Sequence, residues 1–522
     1  MRQSGESFDL VVLSSDGEPV PAAELGGAMV VDLESMPPFE HKAIATDGKV
    51  TLPAPDGPFG VSMLLAVSGF GHVYVRADNA GAGYEASEVG GTTLNFCLEA
   101  AESRLGAVAE AESRFRSAGT CFSSDFQERM SSARTLLEDA RTHRSDHAVC
   151  AKFAMASLRE SMHAGEALVS EHARKRIASS PARAGFRFGC ATLEYPRKGR
   201  RYAELFSALL NFATLPFYRG GVERQEGTRD FGEVERILEW TTRDGLEAKG
   251  HPLVYFDHSG LPEWLRGKSY QQARAAHHDY VLDAVGRFQD RIKIWDVINE
   301  AHDWSNELNY DLDQLVDMTR LAADSTREAS QDAVRIVNCC CTWSEYVARG
   351  RNYYGPIGRP ARSVLQYLRD IIAAGVEFEV VGVQMYYPEQ DMFEIDRQLE
   401  RFCAFGKPVH VTELGVSSSH EPQRYYNKFR KPSPHYWHGR PWSESEQADW
   451  IEAFYTLCYS KPSIEAVSWW NFCEPSFVPH SALLREDLQP KDGYWRLQKL
   501  VAGWQQSAHG RRPGRRDPRL RH

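Results

Sequence analysis

Long apolar runs are missing from this sequence: no stretch of its 522 residues approaches the roughly 20 consecutive apolar residues of a membrane helix. A helical membrane protein is thereby excluded, and no membrane partner is expected. A basic excess is missing too. Lys and Arg number 61 against 71 Asp and Glu, a formal net charge of -10 at pH 7, whereas neutralising a phosphate backbone needs a basic face. A nucleic-acid partner is not expected, and the one basic run, "HGRRPGRRDPRLRH", reads as part of a disordered tail over 506–522. No C-x-x-C pair occurs among the 10 cysteines, which are scattered apart from the adjacent three in "NCCCTW". That suits buried thiols in a reducing compartment better than a disulfide framework or a zinc site. The first residues, "MRQSGESFDLVVLSSDG", carry neither a basic n-region nor an apolar h-region. Two localisations stay open: retention inside the cell, or export with a signal already removed.

What is present is an ordinary folding composition, 42% apolar and 25% charged, long enough for several parts around a large core. Residues 1–97 hold short β-prone runs ("FDLVVL", "GAMVVDL", "VSMLLAV", "HVYVRA") cut by Gly, Pro, Asp and Asn, which predicts a small antiparallel, sandwich-like β-domain. Over 98–180 glycine thins out and Ala, Glu, Arg and Leu dominate, predicting a connector of two or three helices. Residues 185–505 alternate buried strands with amphipathic helices. The strands are "FRFGCAT", "NFATLPFY", "EAKGHPLVYF", "RIKIWDVIN", "AVRIVNCC", "EVVGVQMYY", "KPVHVTEL" and "AVSWWNF". Eight such alternations predict an α/β fold, a (β/α)8 TIM barrel.

Polar residues stand at the C-terminal ends of those strands: His251, Asn299 with Glu300, Asn338, Gln384, Glu413 and Asn471. In a barrel those ends converge on the face that carries active sites. Glu300 ends the fourth strand and Glu413 the seventh, so the two carboxyls face each other across the mouth. Glycosidic hydrolysis requires one carboxylic acid to protonate the leaving oxygen and one carboxylate on the opposite side of the sugar. Glu300 is then expected to hold a proton near neutral pH while Glu413 stays ionised.

The segments "KGHPLVY", "WDVINEA", "VGVQMYY", "VTELGV" and "VSWWNFCEP" resemble glycoside hydrolase family 10, the endo-β-1,4-xylanases, over about 185–501. The resemblance implies a retaining double displacement with Glu300 as acid/base, Glu413 as nucleophile and Asn299 on the sugar 2-hydroxyl, and no metal or other cofactor. It also implies sugar contacts from His251, Gln384, Asn338 and Trp470. Departures accompany it. Tyr255-Phe256 replaces the family's Trp-His, Cys339 stands at an acidic position, and "LPFYRGG" replaces a Lys-Trp segment, with Arg219 as a substitute cation. Trp264 matches a loop position. The family's strand 6 histidine and its partner aspartate become Tyr386 and Gly415, so a hydroxyl of Tyr386, or failing that of Tyr387, within reach of Glu413 is expected.

Three functions stay open: a hydrolase of xylan, one of another β-glycan or a decorated oligosaccharide, and an inactive carbohydrate-binding protein. A monomer acting on polysaccharide or oligosaccharide is expected. His277-His278 reads as a solvated helix face. The β-domain is either a carbohydrate-binding module, with Phe70, Tyr74 and Tyr84 as exposed stacking surfaces, or a structural cap.

Overall fold

A computed structural model describes residues 3–420 and 436–509, with the backbone alone over 505–509. Eight parallel strands close into a barrel: β1 (Arg187–Ala191), β2 (Phe212–Pro216), β3 (Glu247–His251), β4 (Ile294–Asn299), β5 (Val334–Cys339), β6 (Val380–Gln384), β7 (Val409–Glu413) and β8 (Ile464–Trp469). Each pairs with its sequence neighbours, β8 returns to β1, and β3 meets β4 through Lys249 opposite Ile294. Proline lacks an N–H to donate, so Pro252 interrupts β3, which resumes as the short strand Val254–Tyr255 beside Ile298 and Asn299. Helices cover the outer face, and strands buried on both sides read as the continuous apolar runs of the sequence. Inside the ring the Trp295 indole packs directly on the backbone of β3. A Cβ on Gly250 would lie 2.3 Å from the Trp295 ring, so only glycine fits there.

The N-terminal region forms two small sheets. One orders Ile44–Thr46, Lys49–Pro55, Gln3–Val11 and Thr93–Asn95; it is antiparallel except for the last pairing, which is parallel. The other holds Met29–Val31, Gly60–Val67 and Gly71–Ala77, and it is extended by a hairpin from the barrel chain, Tyr436–Trp437 with Arg440–Pro441. Three helices follow: α1 (Phe96–Ser117), α2 (Ser124–Thr142) and α3 (His147–Ser179). Each starts where its sequence offers an N-cap: Asn95, Ser123 and Asp146 accept backbone N–H groups of the first turn. Small residues such as Ala151, Ala154 and Ala164 let α3 pack closely.

The N-terminal region docks on the barrel through buried polar contacts. Arg104 is ion-paired with Asp391 and lies 3.8 Å from Glu394, and Glu166 accepts from the Met392 backbone at 3.0 Å while pairing with His438. Phe70, Tyr74 and Tyr84, read as exposed platforms, are buried instead: Phe70 and Tyr84 complete the sheet core, Tyr74 packs with Met29, Val31, Leu64 and Ala348, and the Tyr84 hydroxyl donates to Glu99 at 2.7 Å. The tail read over 506–522 differs in its first part, since a helix runs Asp492–His509; residues 510–522 lie outside the described residues. Among the described residues no helix is long and apolar enough to cross a membrane.

Candidate active site

A cavity of about 540 Å³ opens at the C-terminal ends of the strands, lined among others by His251, Tyr255, Asn299, Glu300, Gln384, Tyr386, Glu413 and Trp470. Two carboxyls dominate it. Glu300 follows the last residue of β4 in the left-handed region, φ 53°, a conformation that costs a non-glycine residue about 1–3 kcal/mol. Its backbone N–H donates to the Asn338 carbonyl at 2.8 Å, and its own carbonyl accepts from Ser305 N at 3.3 Å. Its side chain accepts from Ser305 Oγ at 2.6 Å and Tyr255 Oη at 3.1 Å on one oxygen, and from Gln384 Nε2 at 2.9 Å on the other.

Glu413 has a separate set of neighbours. The Tyr386 hydroxyl donates to Oε2 at 3.0 Å, Asn338 Nδ2 donates to Oε1 at 3.3 Å, and His251 Nε2 stands 3.8 Å from Oε1. A Cβ on Gly415 would lie 3.3 Å from the Tyr386 ring, so the absent side chain at 415 leaves the room that the tyrosine fills. Asn299 bridges the two halves: its Oδ1 accepts from Asn338 at 2.7 Å and its Nδ2 lies 3.4 Å from Glu300 Oε1.

Beneath the cavity floor lies a buried ionic chain. Asp296 Oδ2 accepts from Lys249 Nζ at 2.6 Å and from His251 Nδ1 at 2.6 Å. Burial would raise the Asp296 pKa, but Lys249 and His251 outweigh it and hold the group below the usual carboxylate range. Burial likewise lowers the His251 pKa against the pull of Asp296, so the imidazole is neutral at pH 7. With Nδ1 donating to Asp296, Nε2 is an acceptor, and the Tyr218 hydroxyl supplies its proton at 3.2 Å.

Both carboxyls are pushed up. Burial raises Glu300, opposed by the donors Ser305, Gln384 and Tyr255. Burial and the Glu300 charge push Glu413 up to about 8, against Lys249 and the Tyr386 hydroxyl. This differs from the expected division, in which Glu300 alone takes the proton. Three donors favour the charged form of Glu300, whereas the Glu300 charge adds to burial in raising Glu413.

Arg219 does not reach the cavity. It is buried, donates to Glu223 at 2.7 Å, lies 3.3 Å from His277 Nδ1, and sits over the Trp264 and Tyr280 rings at 5.0 and 4.9 Å. The Glu223 carboxylate one turn on, together with two rings, holds the cation inward. His277 is consequently buried rather than solvated, and His278 bonds Ser325 Oγ at 2.8 Å. Trp264 packs the same loop, its indole N–H donating to the Glu223 carbonyl at 2.9 Å. Trp470 lines the cavity with its ring edge-on to His251 at 5.1 Å. Asn471 also lines it, donating to Glu194 at 2.7 Å; burial lifts the Glu194 pKa to about 7.

Several further residues line the cavity: Tyr218, Asp257, Ser305, Tyr387 and, from outside the barrel, Tyr74. Tyr218 stands two residues beyond the end of β2, Tyr387 ends the segment "VGVQMYY", and Tyr74 reads as a stacking surface of the β-domain, whereas Asp257 and Ser305 have no sequence signal. Among the described residues no group of three His, Cys, Asp or Glu side chains is placed to hold a metal ion.

The family model for glycosyl hydrolase family 10 matches residues 180–500. The chain belongs to glycosyl hydrolase family 10. Endo-1,4-beta-xylanase B of Thermotoga neapolitana is 24% identical over 296 residues, 52% of this chain and 74% of that protein. Beta-1,4-xylanase of Dictyoglomus thermophilum is 25% identical over 294 residues, 52% and 76% of the two chains. Native xylanase 10B of Thermotoga maritima aligns with a TM-score of 0.48 at 20% identity, covering 65% of this chain and 98% of that one. As a member of glycosyl hydrolase family 10, the protein is a glycoside hydrolase of endo-xylanase-like type.

Proposed function

We propose that the protein is a retaining β-glycosidase acting on a β-1,4-linked polysaccharide or oligosaccharide, with xylan the leading substrate. Glu300 is the acid/base, Glu413 the nucleophile, and Asn299, His251, Gln384, Asn338, Tyr255, Tyr386 and Trp470 position the sugar or the carboxyls. The observation that carries this reading is the pair Glu300 and Glu413 in one cavity, each with its own donors. Glu413 attacks the anomeric carbon while Glu300 gives its proton to the departing oxygen; Glu300 then takes a proton from the water that releases the sugar. Catalysis needs the singly protonated pair, Glu300 carrying the proton. The Tyr386 hydroxyl and Asn338 amide favour an ionised Glu413, and a sugar oxygen placed against Glu300 favours its protonated form.

Hydrolysis of xylan, other β-glycans and aryl β-glycosides, followed by NMR of the first product, tests the reading. The product is expected with its β configuration kept; an α product would mean a water-activating Glu413, and cleavage of none a binding protein. Replacing Glu300 by Ala is expected to slow substrates with poor leaving groups far more than activated aryl glycosides.

A further inference from the structure

One wall of the cavity does not come from the barrel. Tyr74, on the strand Gly71–Ala77 of the N-terminal sheet, lines it together with Glu300 and Glu413. Its backbone N–H donates to the Glu389 carbonyl beyond β6 at 2.8 Å, and His41 N donates to the Ala348 carbonyl beyond β5, also at 2.8 Å. The tyrosine packs with Met29, Val31, Leu64 and Ala348 and is only 8% exposed. The N-terminal region is thus fastened to both loops that shape this half of the mouth, and the packing against Met29, Val31, Leu64 and Ala348 holds the ring in place.

The line from Glu300 on β4 to Glu413 on β7 divides the mouth in two. Tyr218, His251 and Tyr255 belong to the half built on β2 and β3; Tyr386, Tyr387, Glu389 and Tyr74 belong to the half built on β5 and β6. From Tyr386, whose hydroxyl reaches the nucleophile, to Glu389, whose carbonyl holds Tyr74, the chain runs three residues, at most about 11 Å. The foreign wall therefore stands close to the reacting carboxyls.

We propose that the N-terminal sheet closes the leaving-group end of the cleft, with Tyr74 as its wall. The enzyme then accepts only a short leaving group and cuts near reducing ends or in short oligosaccharides rather than deep inside a polymer. This rests on the glycosidase reading above and on the family resemblance, in which the strand 2 and strand 3 positions now held by "LPFYRGG" and Tyr255-Phe256 carry the sugars on the non-reducing side of the cut.

Reducing-end-labelled β-1,4-xylo- and gluco-oligosaccharides of increasing length, run beside aryl β-glycosides, test it. The labelled fragment is expected to be short and of the same length whatever the substrate. Tyr74→Ala is expected to lengthen it and to raise the rate on long chains relative to short ones several-fold, whereas Tyr74→Phe, which keeps the ring, preserves the wild-type pattern. Wild-type fragments that lengthen with the substrate, or an unchanged pattern in a folded Tyr74→Ala, would overturn the closed end alone. The wild-type pattern decides by itself if that variant does not fold. Failure to cleave any glycoside overturns the glycosidase reading, and this inference with it.

Discussion

Tyr386 and Gly415 make sense only together. The tyrosine ring occupies the space a side chain at 415 would need, and its hydroxyl lies 3.0 Å from Glu413. A hydrogen bond to a charged group contributes about 1.5–3 kcal/mol, and this one opposes the burial that lifts Glu413 to about 8. Tyr386→Phe is therefore expected to slow glycosyl-enzyme formation by roughly tenfold to a hundredfold at pH 7. Because the Glu413 pKa rises further, the acidic limb of the kcat/KM profile moves to higher pH. A slower rate with an unmoved profile would reduce the residue to wall. The two carboxyls were legible in the sequence as residues at strand ends, and the swapped pair through the resemblance to the family. Arg219 was not: a cation in a short loop reads alike whether it points to the sugar or, as here, to a glutamate one turn away.

At the scale of single elements, β3 and β4 do more than carry site residues at their ends. Lys249 and Asp296 point into the ring and pair at 2.6 Å in a fully buried setting. Removing one partner of such a pair costs about 3–5 kcal/mol because the other charge stays buried. Lys249→Met is expected to lose about that much at pH 7 in urea unfolding. The sign follows from Asp296, whose folded pKa is lowered: its contribution is present above the ordinary carboxylate value and is lost as pH falls through the folded one. The gap between wild type and Lys249→Met should accordingly narrow in acid. The barrel strands were legible as apolar runs, since both faces are buried. Their inward polar residues were legible as polar but not as partners, because pairing across neighbouring strands depends on register. The Tyr218, Ser305 and Asp257 contributions depend on loop paths that no periodicity describes.

For the molecule as a whole, the decisive contacts are those between its N-terminal sheets and helices and the barrel. Arg104 is 6% exposed and faces Asp391 and Glu394, with Glu166 also raising its pKa. Arg104→Leu leaves Asp391 buried without its cation, while Glu394 keeps Arg397 at 2.9 Å. The expected result in scanning calorimetry is that one transition becomes two, the N-terminal part melting first; a single transition at unchanged Tm would show the contact to be passive. The two kinds of layer were legible from composition, but their docking was not, because it joins residues almost 300 positions apart.

The hairpin Tyr436–Trp437 and Arg440–Pro441, which extends the N-terminal sheet beside Gly71–Ala77, has a consequence for biosynthesis. Trp437 leaves the ribosome 360 positions after Ala77 (437 − 77), a delay of roughly 20–70 s at about 5–20 residues per second. Throughout that interval the edge of the Gly71–Ala77 strand waits without its final neighbour, open to strands of other nascent chains. Completion of a sheet begun at Met29 thus depends on a segment translated late, and its open edge is exposed to aggregation during translation of the barrel.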